Sequence, residues 1–360
     1  MTITKRNNKS SMHDIEKFRG QLLNWYDENR RILPWRALPG QVADPYHVWL
    51  SEIMLQQTTV GAVIPYFLKF TKTWPDVHAL AAESSDVLMA AWAGLGYYAR
   101  ARNLHACAKI VANDLDGVFP NNQAELKKLP GIGDYTSAAI TAIAFNKPAT
   151  VVDGNVDRVM ARTFAVEEPM PKSKPQLKAH AAKFFDGYTD RPGDLAQAFM
   201  DLGAGTCIAK TPRCALCPVS DHCVGLKLDI AATLPRKAKK KPKPQRHGDI
   251  YWITNDNAEA LLHRRPDKGL LGGTLALPTT EWIEKGQGII PLDLLKDQNS
   301  TDLGEKIHHS FTQIDLELPL KTVTTTSLIP SKDHQWRSIS GINAADFPTV
   351  FKKAVKLFLK

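Results

Sequence analysis

Apolar residues recur with helical spacing through the first two thirds of the chain. The first apolar face, with the 3.6-residue period of an α-helix, comprises Ile15, Phe18, Leu22 and Trp25. Asp44 and Pro45 then have the form of an N-cap followed by proline at the first helical position. Helical patterns continue to about Leu228, and no alternating strand pattern precedes residue 230. The pattern therefore predicts a mainly α region over residues 12–233, after a disordered polar segment of residues 1–11.

The pattern changes beyond residue 247. Three segments alternate or are rich in strand-forming residues, namely 249–254, 259–263 and the run containing Ile314, Leu316 and Leu318. Apolar positions over residues 346–359 predict a closing helix. The sequence thus predicts an α+β domain over residues 248–360. Between the two regions, residues 234–247 are rich in proline and lysine, which predicts a stiff, extended, charged linker.

Composition excludes several classes of protein. Hydrophobic residues make up 43% and charged residues 23% of the 360-residue chain, which is ordinary globular usage and excludes collagen, coiled coil and wholesale disorder. The longest uncharged apolar run, 88–99, is shorter than the about 18 residues of a membrane span. The first ten residues lack the apolar core of a secretory signal. We therefore expect a cytoplasmic protein with no membrane partner.

The positive charge is concentrated in the linker. The formal net charge is +9, and seven positive residues with no acid lie between Arg236 and Arg246. A basic chain predicts a polyanionic partner, most often nucleic acid. Because Lys239, Lys240 and Lys241 lie in this segment, we expect them to contact nucleic-acid phosphates and to steepen the salt dependence of binding.

Four cysteines lie close together with the spacing C-x6-C-x2-C-x5-C, namely Cys207, Cys214, Cys217 and Cys223. Such clustering in a long chain favours a metal site over disulfides. Four thiolates can hold a [4Fe–4S] cluster or a zinc ion. Structural zinc sites usually use two short cysteine pairs, and only one is present here, so the spacing favours the iron–sulfur cluster. Cys107 has no such neighbour and is predicted to be a buried helix residue.

A glycine-rich turn separates two predicted helices. The segment LPGIGDYT, residues 129–136, follows a helical stretch and precedes an apolar helix. Gly131 and Gly133 allow close approach of the backbone, and the free N–H groups of the second helix suit a phosphate. The segment is therefore predicted to be a helix–hairpin–helix that binds a nucleic-acid backbone.

Two carboxyl groups are candidates for acid–base chemistry. Glu52 has bulky apolar neighbours on both sides; if buried it would have a raised pKa, as a general acid needs, whereas an amphipathic surface helix would leave it exposed. Asp153 either caps the helix before Val156 or acts as an ionised partner, and both roles are compatible. One protonated and one ionised carboxyl group is the pairing used in glycosidic bond cleavage.

The motifs together resemble those of MutY-type adenine DNA glycosylases of the helix–hairpin–helix superfamily. WLSEIMLQQT, GLGYYARARNLH, LPGIGDYTSAAI, VVDGNVDRV, MDLGAGTC and the four-cysteine spacing occur in the family's order, and the resemblance covers residues 13–360. It implies two helical subdomains, one with the hairpin and one with a [4Fe–4S] cluster held by the four cysteines. It also implies a C-terminal domain similar to the Nudix fold, in which we expect no pyrophosphohydrolase activity because the Nudix box pattern is missing.

The resemblance implies removal of adenine mispaired with 8-oxoguanine, or with guanine, in duplex DNA. Glu52 would protonate adenine N7, Asp153 would stabilise the oxocarbenium-like sugar, and Asn155 would shape that site. Tyr135 would be the fourth residue of this catalytic set. Residues near the adenine pocket would be Trp35, Arg36 and Asp201. Residues that wedge the DNA helix and contact the oxidised guanine would be Gln57, Thr58, Leu95 and Tyr97. The DNA backbone would contact Gly131 and Gly133, and the loop that reads 8-oxoguanine would comprise Phe311, Thr312 and Gln313. We expect a bacterial-type monomer that associates with the nucleoid when bound to DNA.

The sequence departs from related patterns at three positions. Tyr135 stands where bifunctional glycosylase/lyases carry a nucleophilic lysine, and Asp157 stands where some family members carry another lysine. Both predict a monofunctional glycosylase. In the C-terminal loop Gln313 replaces the family's histidine, whereas Thr312 keeps the hydroxyl group of its serine.

Two other functions remain open at this point. A glycosylase/AP lyase for oxidised pyrimidines would share the fold, but Tyr135 argues against it because it offers no amine. A non-catalytic iron–sulfur DNA-binding protein would explain the cysteines and the linker, but it would leave Glu52 and Asp153 without a role.

Overall fold

The computed structural model describes residues 9–238, 242–266, 268–284, 286–289, 292–296, 298–326 and 333–359. The described chain forms two compact units: residues 9–82 with 103–238, and residues 83–102 with 242–359. The contacts thus group residues 83–102 with the C-terminal unit, although the sequence assigns them to the helical region. The linker lysines Lys239, Lys240 and Lys241 and the N-terminal residues 1–8 lie outside the described residues.

The N-terminal two thirds are helical, as predicted. The helices are α1 (Lys9–Asn29), α2 (Pro45–Leu55), α3 (Val60–Thr73), α4 (Val77–Ala82), α5 (Ser85–Ala91), α6 (Ala99–Asp114), α7 (Gln123–Leu126), α8 (Asp134–Phe145), α9 (Gly154–Thr163), α10 (Lys174–Phe185), α11 (Pro192–Asp201) and α12 (Val224–Lys227). Helix α1 begins at Lys9, inside the segment predicted to be disordered. Extending a helix that is already nucleated needs no apolar residues, so the helix begins several residues before the first apolar position of the pattern.

Aromatic residues join the two ends of this unit. Phe18 of α1 packs at a tilt against Phe184 of α10, with 4.6 Å between ring centroids, and stacks on Phe199 of α11 at 5.8 Å. Helices α8 and α11 also lie very close together, because a Cβ atom on Gly193 would stand 2.7 Å from the carbonyl oxygen of Ala142. This packing places the start of α8, the start of α9 and the end of α11 in one region.

A chain of short turns follows α11. A π-helical turn, Leu202–Thr206, leads to the first clustered cysteine. The 3₁₀ turn Cys214–Leu216 begins at the second cysteine and is followed by Cys217, and the 3₁₀ turn Ser220–His222 is followed by Cys223. A last 3₁₀ turn, Ala231–Thr233, closes the helical region. We call residues 207–223 the cysteine loop.

The C-terminal unit contains a mixed eight-stranded sheet. Its strands are β1 (Gln245–His247), β2 (Ile250–Thr254), β3 (Glu259–Arg264), β4 (Leu275–Ala276), β5 (Ile283–Glu284), β6 (Thr301–Ser310), β7 (Asp315–Thr324) and β8 (His334–Ser338). The order is β4-β3-β2-β7-β1-β5, with β6 also paired to β7 and β8 to β3. Strand β7 is parallel to β1 and β2, and the other pairs are antiparallel. This confirms the predicted α+β class.

Helix α13 (Thr349–Phe358) closes the unit. Its buried face, Val350, Phe351, Ala354 and Val355, belongs to one core with the apolar side chains of β2, β6 and β7. The helix begins three residues later than predicted, because Ala344–Asp346 forms a 3₁₀ turn and Pro348 occupies the N-cap. In the part of the chain that the structure describes, no helix is long and apolar enough to cross a membrane.

Both ends of the predicted linker are attached to folded parts of the chain. At the first end, Met170 N–H donates to the carbonyl of Arg236 at 2.8 Å, and Ala238 N–H donates to the carbonyl of Met170 at 3.1 Å. At the other end, residues 245–247 form strand β1 between β7 and β5. The expectation of an extended linker up to residue 247 is therefore wrong for its last three residues. Backbone pairing in so short a strand needs no apolar side chains, so a basic segment without an alternating apolar pattern gave no indication of strand β1.

Candidate active site

Glu52 is a buried carboxyl group on α2. The residue is 6% exposed, and the residues around it on this helix, from Val48 to Met54, are buried too. Burial raises the pKa of Glu52 from its ordinary value of 4.5 to about 7, and the negative charge of Asp153 raises it as well. The hydroxyl of Tyr135 and the guanidinium of Arg36 act in the opposite direction. Glu52 can therefore hold a proton near neutral pH, and the alternative of a surface glutamate does not apply.

Asp153 caps helix α9 from a fixed position. Its Oδ1 accepts the backbone N–H groups of Asn155 at 2.8 Å and Val156 at 2.7 Å, and its Oδ2 accepts the side-chain amide of Asn155 at 2.8 Å. Three N–H donors on two oxygens suit a carboxylate. The structure thus shows the helix-capping role of Asp153, and this geometry is compatible with a second role as a charged partner.

Arg158 connects the side chain of Asn155 to the segment between α11 and the cysteine loop. Asn155 Oδ1 accepts the Arg158 guanidinium at 2.8 Å, and Arg158 also donates to the carbonyls of Gly203 at 2.6 Å and Cys207 at 2.7 Å. A Cβ atom on Gly203 would stand 2.5 Å from Asn155 Cβ, so only glycine fits there. Arg158 and Gly203 were not predicted. Their sequence signals, an arginine one turn after Asn155 and a glycine before the first cysteine, are too common to single them out.

Tyr135, at the start of α8, lies close to both carboxyl groups. It lies among Glu52, Asp153 and Arg36, and its hydroxyl hydrogen-bonds to Glu52. Burial and the two nearby negative charges raise its pKa well above the ordinary value, so the phenol stays protonated and donates. The structure thus brings together the four residues predicted as catalytic, Glu52, Asp153, Tyr135 and Asn155.

A narrow cavity opens beside Glu52. Its lining includes two residues predicted near the adenine pocket, Trp35 and Arg36, together with Gln197 of α11, which was not predicted. Gln197 carries no motif, so only the packing of α11 reveals it. Asp201 is not among the lining residues, contrary to expectation, because its carboxylate is turned toward Arg31 and Arg36.

The predicted hairpin consists of α7, a turn and α8. Gly131 has a left-handed φ of 78°, and a Cβ atom there would stand 2.9 Å from Asn103 Cβ. Gly133 is the N-cap residue of α8 and has open space around it. The turn therefore exposes the backbone at the start of a twelve-residue helix, where anions bind well.

The residues predicted to enter the base stack differ in exposure. Gln57 follows the end of α2 with a left-handed φ of 61° and is exposed, while Thr58 beside it is half-buried. Tyr97 also has a left-handed φ, of 49°, and is 49% exposed. Leu95 is only 6% exposed, which does not support the wedge role expected for it. An intercalating side chain has to protrude, and of these residues Gln57 and Tyr97 do.

In the C-terminal unit, the predicted recognition loop is the turn between β6 and β7. Thr312 Oγ1 and the Tyr97 hydroxyl lie 2.8 Å apart, within hydrogen-bond distance. Lys243, from the end of the linker, donates to the carbonyl of Phe311 at 2.8 Å. Thr312 and Gln313 are exposed and Phe311 is half-buried. The structure therefore groups Tyr97 with this loop, although they are over two hundred residues apart in the sequence.

The four clustered cysteines line one cavity. Arg162 Nη1 lies 3.2 Å from the Cys207 sulfur, the N–H of Val219 faces Cys217, and the N–H groups of Gly225 and Leu226 face Cys223. Donors of this kind stabilise thiolates. Among the described residues, no three His, Cys, Asp or Glu side chains are grouped as ligands to a single metal ion. Four cysteine sulfurs around one cavity supply the thiolate donors that an iron–sulfur cluster or a zinc ion needs.

The arrangement in the helical unit suits cleavage of a glycosidic bond. A carboxyl group that is protonated near neutral pH can give its proton to a leaving group. A carboxylate fixed nearby can stabilise the positive charge that develops on a sugar. The hairpin supplies backbone N–H groups of the kind that bind phosphates.

Comparison with known proteins agrees with this chemistry. A model of the HhH-GPD superfamily base excision DNA repair proteins matches residues 50–186, and a NUDIX domain model matches residues 250–357. The adenine DNA glycosylase of Homo sapiens is 31% identical, covering 96% of this chain and 74% of the human protein. That of Buchnera aphidicola subsp. Baizongia pistaciae is 38% identical, covering 73% and 76%. The solved structure of a thermostable thymine-DNA glycosylase is 27% identical, with a TM-score of 0.54, covering 61% of this chain and all of that one.

Fold and site are those of a helix–hairpin–helix base excision DNA repair enzyme that carries a Nudix-like domain. Among the relatives compared, the chain spans from 48% to 80% of their length. The chain belongs to the adenine DNA glycosylase family.

Proposed function

We propose that this protein removes adenine mispaired with 8-oxoguanine, or with guanine, from duplex DNA by hydrolysing the N-glycosidic bond. The observation that carries the proposal is the buried Glu52 carboxyl group, whose pKa is raised to about 7, with Asp153 fixed nearby. The names of the relatives support adenine as the excised base. The geometry of the site supports Glu52 as the acid and Asp153 as its charged partner.

The reaction begins when the adenine nucleotide leaves the base stack, which costs a few kcal/mol. Adenine then enters the cavity beside Glu52, and the Glu52 carboxyl gives its proton to adenine N7. The C1′–N9 bond breaks, and its electron pair leaves with the neutral base. The Asp153 carboxylate stabilises the oxocarbenium-like sugar until water adds at C1′, and the proton lost by that water restores the acid.

The proposed enzyme releases the base without cutting the strand. Tyr135 occupies the position next to Glu52 where an amine nucleophile would be needed, and its protonated phenol donates a hydrogen bond instead. Asp157, one turn after Asp153, likewise offers no amine. The product is therefore an intact strand with an abasic site.

Partner recognition is divided between two parts of the chain. The hairpin backbone at Gly131 and Gly133 binds DNA phosphates, and the exposed Gln57 enters the base stack. Tyr97, Thr312 and Gln313 contact the base opposite adenine. The enzyme acts as a monomer in the bacterial cytoplasm and associates with the nucleoid through its DNA substrate.

The four cysteines are proposed to hold a [4Fe–4S] cluster. Their sulfurs line one cavity, and at least three of them face N–H or guanidinium donors, as thiolate ligands require. The cluster would cross-link the cysteine loop into one body. The proton transfer by Glu52 and the charge stabilisation by Asp153 need only side chains of the protein.

The test uses a duplex with a central 8-oxoguanine:A pair. We expect release of adenine under single-turnover conditions, with strand cleavage only after alkali is added. Glu52→Gln should bind the duplex and release no base, whereas Glu28→Gln, an exposed glutamate on α1, should act like the wild type. An active Glu52→Gln enzyme would refute the acid assignment. A strong borohydride-trapped adduct on a thymine glycol duplex would instead favour a glycosylase/lyase.

A further inference from the structure

We propose that Asp201 is a positioning residue, which orients the guanidinium of Arg36 beside Glu52, offsets part of its positive charge and thereby sets the proton affinity of the acid. The inference rests on the proposed function. It adds a residue that lies behind the cavity wall and acts on the reaction through Arg36.

Two arginines occupy both oxygens of the Asp201 carboxylate. Arg36 binds it with two parallel hydrogen bonds, Nη1 to Oδ2 at 2.7 Å and Nη2 to Oδ1 at 2.8 Å. Arg31 adds its Nε to Oδ1 at 2.6 Å and its backbone N–H to Oδ2 at 3.0 Å. Such a fork fixes the plane of the Arg36 guanidinium. Because Asp201 is the last residue of α11, it also attaches the segment between α1 and α2 to that helix.

This ion pair lies almost entirely inside the protein. The Asp201 side chain is 1% exposed and that of Arg36 is 8% exposed. Removing two charges from water is expensive, and well-packed apolar residues often stabilise a fold as well as a buried pair does. A contribution to stability therefore does not by itself explain why this buried ion pair is present. Its position next to the catalytic acid points to an electrostatic role.

The charged and titratable groups that face Glu52 come from three elements. Arg36 lies on the segment before α2, Tyr135 at the start of α8 and Asp153 at the N-cap of α9. Arg36 favours the ionised form of Glu52, and Asp153 disfavours it. Asp201 partly neutralises Arg36 and keeps it in place. The balance leaves Glu52 protonated in the pH range where a general acid works best.

Two substitutions should move the pH dependence in opposite directions. In Asp201→Asn, the amide oxygen and the Arg31 carbonyl, 3.3 Å from Arg36 Nη1, still retain the guanidinium. Its charge is then less compensated, so the alkaline limb of the single-turnover rate profile should shift to lower pH by about 0.5–1 unit. In Arg36→Gln the positive charge is lost, so the same limb should shift to higher pH.

The matched control is Asp194→Asn. Asp194 lies on the same helix and also pairs with an arginine, Arg191 Nε at 2.8 Å, but it does not act on Glu52. The alkaline limb of the Asp194→Asn rate profile should lie at the same pH as that of the wild type. Asp201→Glu keeps the charge, so it should restore the wild-type limb and also provides a test if Asp201→Asn does not fold.

The outcomes separate this inference from the proposed function. Opposite shifts in Asp201→Asn and Arg36→Gln, with no shift in Asp194→Asn, support the positioning role. Lower rates at every pH with an unmoved limb would show a merely structural role and overturn it. A wild-type protein that releases no adenine at any pH would refute the proposed function instead.

Discussion

Replacing Glu52 with glutamine should stabilise the folded protein, and the gain should grow as the pH rises from 4.5 to about 7. Burial raises the pKa of this carboxyl group from 4.5 to about 7. Between these values the folded state binds more protons than the unfolded state, so the contribution of Glu52 to stability falls as pH rises. Above the folded-state pKa the ionised group costs roughly 3 kcal/mol, because each pKa unit corresponds to about 1.36 kcal/mol. Glutamine has no charge to bury, so the substitution removes that cost.

The assay is urea-induced unfolding of the wild type and of Glu52→Gln, followed by helical circular dichroism at about pH 5 and about pH 8.5. The variant should be more stable by roughly 1 kcal/mol or less at the lower pH and by roughly 3 kcal/mol at the higher one. Glu28→Gln is the exposed control, for which roughly 0.5 kcal/mol or less is expected at both values. A difference that is the same at both pH values would refute the reasoning.

The same pKa predicts the pH dependence of catalysis. The protonated fraction of a group with a pKa of about 7 falls about tenfold for each further pH unit above it. The single-turnover rate of base release should therefore fall about tenfold between pH 8 and pH 9. Product release does not enter single-turnover rates, so a flat profile over this range would show that Glu52 is not the acid.

Three further predictions concern the surroundings of the site. Gly203→Ala should displace Asn155 and lower the rate by about tenfold or more, while Gly205→Ala, which has open space around it, should retain wild-type rates in the same assay. Gln313→His should increase the ratio of the single-turnover rates on 8-oxoguanine:A and G:A duplexes, because an imidazole restores the family pattern; an unchanged ratio would exclude this position from base discrimination. Cys217→Ser should lose most of its bound iron and sulfide by chemical analysis and unfold at a lower temperature, and full iron content would remove Cys217 from the ligand set.

Local patterns predicted the parts of the site that depend on neighbouring residues. The apolar neighbours of Glu52 indicated its burial, and the position of Asp153 before Val156 indicated the cap that the structure shows. The glycines of the hairpin and the helical periods followed from the same kind of local rule. These features are set within one or two turns of chain, where side-chain spacing and backbone conformation act directly.

Other predictions failed where exposure or backbone pairing decided the structure. Strands β6 and β8 were not predicted because most of their residues are exposed or half-buried and do not alternate clearly. Strand β1 was not predicted either, because its three residues are polar or basic and none of them is fully buried. Leu95 was expected to protrude, but its burial depends on neighbours that no local pattern reveals.

The sequence by itself determined the helical and α+β classes, the spacing of the cysteines and the identities of the two carboxyl groups. Only the tertiary structure decided how those carboxyl groups are tuned. Asp201 meets Arg36 across 165 residues, and Arg158 meets Cys207 across 49. Pairings of this kind depend on how α9 and α11 pack, and residue spacing carries no information about that packing. Short stretches of sequence therefore identify the reacting groups of the site, whereas the proton affinity of Glu52 depends on how the helices pack.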